Sequence, residues 1–450
     1  MKINSEGFMK KHQNIYDIED EIYASNFRNT PPKSLERKSI WVAFIGNVLE
    51  WYDFAVYGYL ATVISKVFFP GESPAAQMLM SYGVFAAGFF ARPLGALFFG
   101  YMGDVHGRKK ALLISVFLMA IPTTLIGLLP TYQTIGLMAP LLLILIRLTQ
   151  GISIGGEFSG SIVYLAENAP KNKRGLMTSW ADLGCSSGVM LGLIVATVLN
   201  YVLTAEDLQS WGWRLPFLSG ILLGGVGIYI RKNLPETNVF LKDTHSVVKK
   251  ENPFLEVFRA HKRNTLAVMF GCMINGAGFY LCFVFLPNSI ISKGELSAHA
   301  SFLLSIFSMS IFMGAMMFAA WWSDYVGRKK ILWAGQTICA LIAYPLMVHP
   351  ATDIMHQALL QGIFAIGIGF CFGPRSSLLT ECFPTKVRLS SISLGFNASN
   401  AIFGGTAPFI AAYLIQETGL NYSPAFYIIL ASCISAVAIY FLKQTHQENL

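Results

Sequence analysis

Twelve apolar stretches follow one another along the chain, at roughly 39–65, 76–102, 111–129, 139–166, 175–203, 213–230, 264–291, 298–322, 331–348, 356–380, 389–416 and 422–442. Each is near or above the ~20 residues that carry a helix across a bilayer. In hydrocarbon every backbone polar group must find a partner inside the protein, so only helices or closed barrels can span. Runs of this length favour helices, and the expected fold class is an all-α integral membrane protein with twelve transmembrane helices. Composition agrees, with 54% of the 450 residues hydrophobic and 13% charged, against ~25% charged in soluble domains.

An even number of spans puts both termini on one side, and Lys and Arg accumulate in cytoplasmic segments. The termini side holds 27 of them: in the N-tail, at Arg108 to Lys110, Lys171 to Arg174, Arg231 to Arg263 and Arg328 to Lys330, and at Lys386, Arg388 and Lys443. The opposite side holds only Lys66 and Lys293. Both termini therefore read as cytoplasmic, and the formal net charge of +8 marks topology without implying a nucleic-acid partner. The first 38 residues contain no apolar core, so they read as a cytoplasmic tail and not as a signal peptide. The seven cysteines lie in apolar segments without CxxC spacing, which favours packing over metal or disulfide use. No histidine falls at mid-membrane, so any proton chemistry falls to carboxylates.

An internal repeat divides the chain. GYMGDVHGRKK (100–110) follows the second span and AWWSDYVGRKK (320–330) the eighth, so Asp104, Gly107 and Arg108 fall on Asp324, Gly327 and Arg328 at an offset of 220. At an offset of 214, Glu167, Pro170 and Arg174 fall on Glu381, Pro384 and Arg388. The expected organisation is a cytoplasmic tail (1–38), a six-helix half (39–230), a cytoplasmic central loop (231–263), a second, pseudo-symmetric six-helix half (264–442) and a short cytoplasmic tail (443–450). A site between two related halves can be opened to either side by rocking one against the other. In each loop the Gly permits a tight turn, and the Asp can pair with the Arg or cap a neighbouring helix. A latch of this kind, made in one conformation and broken in the other, would act as a cytoplasmic gate.

The doubled loop resembles the signature of the major facilitator superfamily, although the second copy has Ala320 where the first has Gly100. NVLEWYDFAVYG (47–58), ARPLGALFFG (91–100), RLTQGISIGGE (147–157), ENAPKNKRG (167–175) and WGWRLPF (211–217) resemble the metabolite:proton symporter family within it. KVFFPGESPAAQM (66–78) and the ENAPKNKRG run most resemble bacterial proline/betaine transporters. The resemblance covers about residues 39–442 and is strongest in the N-terminal half. It implies the major facilitator fold and a secondary active transporter of the bacterial cytoplasmic membrane, working as a monomer by alternating access. It also implies symport of a small polar metabolite with a proton as the coupling ion, without a cofactor. Osmosensing members carry a long C-terminal coiled coil, whereas this chain stops shortly after Phe441, so osmotic regulation of that kind is not expected.

Charges inside the spans are the candidate site: Glu50 and Asp53 in span 1, Arg92 in span 2, Arg147 and Glu157 in span 4, Asp182 in span 5 and Arg375 in span 10. An uncompensated charge at such depth costs at least ~2.5–3.5 kcal/mol, so each should face a partner or a watery cavity. Glu50 and Asp53 share one helix face with Asn47, Phe54 and Tyr57. Two acids so close repel, which suits one of them to take up and release a proton. Proton coupling is therefore expected of Asp53, Glu50, Arg147 and Glu157, the resemblance supporting Arg147 in particular. Which of Glu50 and Asp53 carries the proton, and which holds an arginine, stays open. Glycines after Arg147 allow a neighbouring helix to approach closely.

Candidate substrate residues are Arg92, Trp51, Tyr52, Tyr57, Asn275, Tyr280 and Arg375. Aromatic faces hold quaternary ammonium groups well. Arg92 is also a natural counter-ion for span 1. Arg375 either snorkels to the cytoplasmic surface or faces the cavity, where it would favour an anion. The leading reading is a proton symporter of a proline/betaine-type osmolyte, and the alternative a proton symporter of a small carboxylate such as 2-oxoglutarate or citrate. A non-transporting receptor would be expected to add a sizeable soluble domain. No GxxxxGK[ST] loop supports an ATP-driven pump, and no nucleophile–base or metal-ligand spacing supports an enzyme.

Overall fold

The computed structural model describes residues 33–106, 108–167, 169–222, 224–225, 261–349 and 351–442. Most of both tails and of the central loop, together with Gly107, lies outside the described residues, as do the side chains of Asp104, Arg108 and Glu157. The chain divides into a unit ending at Val42, of which 33–42 are described and helical, and a unit from Ala43 onward that holds everything below.

The described residues are helices joined by short turns, without strands. Nine helices among them are long and apolar enough to cross a membrane, and Phe117–Leu128 is a shorter apolar one in span 3. Span 1 is Lys33–Tyr59 followed by Ala61–Phe68, so its helix starts six residues before the expected Ser39. Span 6 begins with Leu215–Leu218, and its described residues end at 225.

Local breaks have identifiable causes. Span 2 divides at Ala91 into Pro74–Phe90 and Arg92–His106, next to Pro93, which has no N–H to give. Span 4 divides at Gly155 and Gly156 into Met138–Ile154 and Glu157–Glu167. Spans 7 and 11 each contain one turn of π-helix, Leu281–Phe285 and Asn400–Gly404, shortly before Pro287 and Pro408. Such turns concentrate at functional sites. The span 11 turn packs against span 7 just ahead of that span's own turn, since a Cβ on Gly276 in Met273–Tyr280 would stand 2.8 Å from the Gly404 Cα. Gly327 joins Ala298–Val326 to Arg328–Val348 at φ +100°, a conformation that favours glycine.

The expected close approach at span 4 is made by span 2: a Cβ on Gly151 would overlap the Gly88 carbonyl, and one on Gly155 the Arg92 carbonyl. This backbone contact fixes the rotation of both helices, and Arg92 and Arg147 are almost wholly buried as a result.

Candidate functional site

The two halves touch on both sides of a small central cavity. On the side of the GRKK turns, Asp324 caps the first turn of Arg174–Val202 in the other half, accepting from the Gly175 and Leu176 amides at 2.8 and 3.1 Å. The same carboxylate pairs with Arg328 at 2.7 Å, so the pairing and the capping expected as alternatives occur together. Glu381 bridges Arg174 and Arg328 at 3.2 Å each, and Glu167 binds Arg388 at 2.6 Å. On the opposite side, Asn288 of span 7 donates to the Gly58 carbonyl of span 1 at 3.0 Å, and the Tyr59 and Phe302 rings meet edge to face. The cavity is thus closed at both ends.

Its walls come from both halves. Trp51, Phe158, Asp182 and Cys185 line it from the first, and Asn275, Tyr280, Phe372, Arg375, Phe396 and Asn400 from the second. Asp182 accepts from Arg375 and, at 2.5 Å, from Ser376, which closes an ion pair between spans 5 and 10. The Arg375 guanidinium also lies over the Phe372 and Phe396 rings, 4.3 and 5.0 Å from their centroids. Arg375 therefore faces the cavity and does not snorkel. Because Asp182 cancels its charge, the wall is a neutral dipole, and the anion preference expected of a lone arginine does not follow. Asn275 donates to the Cys371 carbonyl at 2.9 Å, while the buried Tyr280 hydroxyl has no hydrogen-bond partner.

Beside the cavity, the span 1 acids divide between two arginines. Glu50 acts electrostatically on Arg92, which sits among the Trp51, Phe54 and Phe89 rings at 4.2–5.0 Å. Asp53 acts on Arg147, which is sandwiched by Phe54 and Tyr57 at 4.3 and 4.4 Å. Desolvated cation–π contacts of this kind are worth about 2 kcal/mol, and they hold both guanidinium groups without saturating their donors. Asp53 and Arg147 are further joined through side chains: Thr123 donates to Asp53 Oδ2 at 2.5 Å, Gln150 donates to Thr123 at 2.7 Å, and Arg147 donates to Gln150 at 2.9 Å. Asp53 Oδ1 accepts no hydrogen bond.

Comparison with known proteins follows the same lines. Residues 39–247 match the family described as Sugar (and other) transporter, and residues 268–449 the Major Facilitator Superfamily. The glycine betaine/proline/ectoine/pipecolic acid transporter OusA of Dickeya dadantii is 34% identical over 92% of this chain and 84% of its own length. The chain belongs to the major facilitator superfamily. The proline/betaine transporter of Salmonella typhimurium is 33% identical over 92% of this transporter and 85% of its own length, and the ectoine/proline transporter ProP of Corynebacterium glutamicum 34% over 93% and 86%. The xylose transporter XylE from E. coli, in a partially occluded inward-open conformation, shares the fold at a TM-score of 0.73 and 19% identity, covering 93% of this transporter and 100% of that chain. Twelve helices in two pseudo-symmetric halves are thus the architecture, and the chain is a transporter and not an enzyme.

Of the three span 1 aromatics, only Trp51 lines the transporter's cavity. Tyr52 turns to span 6, with its hydroxyl 3.1 Å from Ser219, and Tyr57 donates to the Ser81 carbonyl at 3.2 Å. Helical spacing explains this: Tyr52 is about 100° round the helix from Trp51. Residues that sequence reasoning left aside are Thr123, the cage of Phe158, Phe372 and Phe396, and Asp182 as the partner of Arg375. A hydroxyl directly after Pro122 in an apolar span was a signal for the first; nothing local marked the phenylalanines.

Away from the cavity, His349, Asp353 and His356 bring three potential metal-ligand atoms within 4.8 Å. The imidazoles stack at 4.0 Å with 27° between planes, so their in-plane lone pairs run side by side and do not converge. Asp353 caps Ile354–Phe372, and the His356 amide holds its carboxyl below the usual carboxylate range. The group reads as a helix cap.

Proposed function

We propose that this transporter carries a small zwitterion of the proline/betaine type into the cell together with a proton, by alternating access. The observation that carries the reading is the Asp182–Arg375 pair, contributed by opposite halves to the wall of one closed, aromatic-ringed cavity. A zwitterion presents one carboxylate and one ammonium: the first matches Arg375, the second matches Asp182 and the faces of Trp51, Phe158 and Phe396. A di- or tricarboxylate would leave at least one charge facing Asp182, which disfavours the 2-oxoglutarate or citrate alternative. The names of the similar transporters support the same substrate class.

Asp53 takes the proton in this reading and Arg147 responds to its charge, while Glu50 serves to hold Arg92. Loading of the proton from outside would favour substrate binding, and its release inside would reset the carrier, because the two sites are thermodynamically linked. Tyr280 supplies a hydroxyl free to meet the ligand. The cross-half contacts of Asp324, Arg328, Glu381 and Arg388 form the cytoplasmic gate, with Asp104, Gly107 and Arg108 its counterpart in the first half. The Lys and Arg asymmetry supports cytoplasmic termini in a bacterial inner membrane, with halves at 39–230 and 264–442, and a cavity complete within one chain supports a functional monomer.

Uptake of labelled betaine, proline, 2-oxoglutarate and citrate into proteoliposomes, with and without an imposed pH gradient, tests the reading. Gradient-driven uptake of betaine or proline is expected. Uptake of 2-oxoglutarate or citrate but of neither betaine nor proline would overturn the substrate class, and uptake indifferent to the gradient would remove the proton.

A further inference from the structure

We infer that Thr123 is the positioning residue that couples the charge state of Asp53 to Arg147, by rotating one hydroxyl; this rests on the reading of Asp53 as the proton carrier. The direction of each bond in the chain is dictated by what its members can donate. Arg147 has no acceptor, so Gln150 must turn its Oε1 to it at 2.9 Å and thereby its Nε2 to Thr123 at 2.7 Å. Thr123 then receives one hydrogen and has one of its own, with two acceptors in reach: Asp53 Oδ2 at 2.5 Å and the Met119 carbonyl at 2.9 Å. It can serve only one of them at a time.

Ionised Asp53 takes that hydrogen in a short charge-assisted bond. With a proton on Oδ2, Asp53 must itself donate along the same contact. Thr123 then accepts from Asp53 and Gln150 together, filling both lone pairs, and swings its hydrogen to Met119. Both states keep every hydrogen bond between successive members of the chain, and they differ by one rotation. The proton enters and leaves on Asp53, while Thr123 and Gln150 gain and lose none. In the ionised state the chain runs unbroken from guanidinium to carboxylate; in the neutral state both ends of it donate towards Thr123, so the tie between Asp53 and Arg147 is weakened. The charged and titratable groups acting on Asp53 are Arg147 from span 4 and Tyr52 from its own span, with Arg92 and Tyr280 beyond Arg147. Thr123 itself is wholly buried and packs against Gly220 of span 6.

The test is an infrared titration of the purified full chain in lipid, following the carboxyl band that Asp53→Asn removes, in wild type, Thr123→Val and Thr123→Ser. Thr123→Val keeps the shape and deletes the hydroxyl, so the carboxylate loses its donor and the midpoint should rise by about one pH unit. Thr123→Ser keeps the hydroxyl and should titrate with the wild type, an outcome that mere packing would not give. Thr123→Ala answers the same question if the valine variant does not fold. An unmoved midpoint without the hydroxyl, or a serine variant displaced as far as the valine, would overturn the relay and leave Asp53 as the carrier. If no titrating band disappears in Asp53→Asn, the carrier reading itself falls, and the relay with it.

Discussion

Glu167 binds Arg388 across the two halves at 2.6 Å, and the pair related to it by the internal repeat, Glu381 and Arg174, makes the same bridge with the halves exchanged. The repeat therefore builds a reciprocal latch, as two-fold symmetry would in a dimer. Its arms are unequal. Glu167 is 39% exposed, whereas the Glu381 side chain is fully buried between Arg174 and Arg328.

The inequality makes a prediction about the gate. Water screens the Glu167 end of its pair, and the buried Arg388 keeps the Thr380 and Phe383 carbonyls as acceptors when Glu167 is lost, whereas removing one partner from a fully buried set costs roughly 3–5 kcal/mol. Glu381→Gln should therefore shift the protein strongly towards opening on the side of the GRKK turns, and Glu167→Gln only slightly. Spin-label distances between the halves on that side would show it, and equal shifts in the two variants would contradict the assignment of strengths.

A methyl group at Gly175 should work in the same direction by steric means. Its Cβ would stand 2.6 Å from Arg328 Nη1, 2.7 Å from the Ala320 carbonyl and 3.0 Å from Asp324 Oδ1. Gly175→Ala is expected to fold, because alanine suits a helix, yet to wedge the closed latch apart. The same distance measurement should find the closed population depleted and uptake slowed; a normal closed population would mean that the latch yields more easily than its packing indicates.

Asp182 and Arg375 can be separated from the fold by a double substitution. Either single change, Asp182→Asn or Arg375→Gln, leaves a buried charge alone and should lower stability by roughly 3–5 kcal/mol. The double variant removes both charges and should regain most of the thermal stability while failing to bind substrate. Recovery of binding together with stability would show that the pair holds the halves without touching the ligand.

For the span 1 acids, Asp53→Asn should abolish gradient-driven accumulation while substrate exchange survives. Glu50→Gln should leave accumulation coupled to the gradient and weaken it through Arg92. Counterflow and gradient-driven uptake measured side by side decide this, and the reverse pattern would transfer the proton to Glu50.

Much of the fold was legible in the chain because hydrophobic length and charge count report on depth in a membrane. The twelve stretches, the repeat and the buried Glu50, Asp53, Arg92, Arg147, Asp182 and Arg375 all came from that one-dimensional signal. The glycines of RLTQGISIGGE announced a close helix contact, although not that span 2 would make it. The π-helical turns in spans 7 and 11 left no periodic trace, since a single added residue per turn is invisible in an already apolar run.

What hydropathy could not give was rotation about each helix axis, and the site depends on rotation. The sequence alone determined that acids and arginines lie within the spans, and by repetition that the chain has two related halves. Only the tertiary structure decided that Arg375 meets Asp182, 193 residues away, and that Tyr52 and Tyr57 turn from the cavity. It alone decided that Thr123 and Gln150 stand between Asp53 and Arg147. The physical reason is that depth follows from each residue's own transfer energy, whereas azimuth follows from which backbones can touch, as Gly151 does against Gly88.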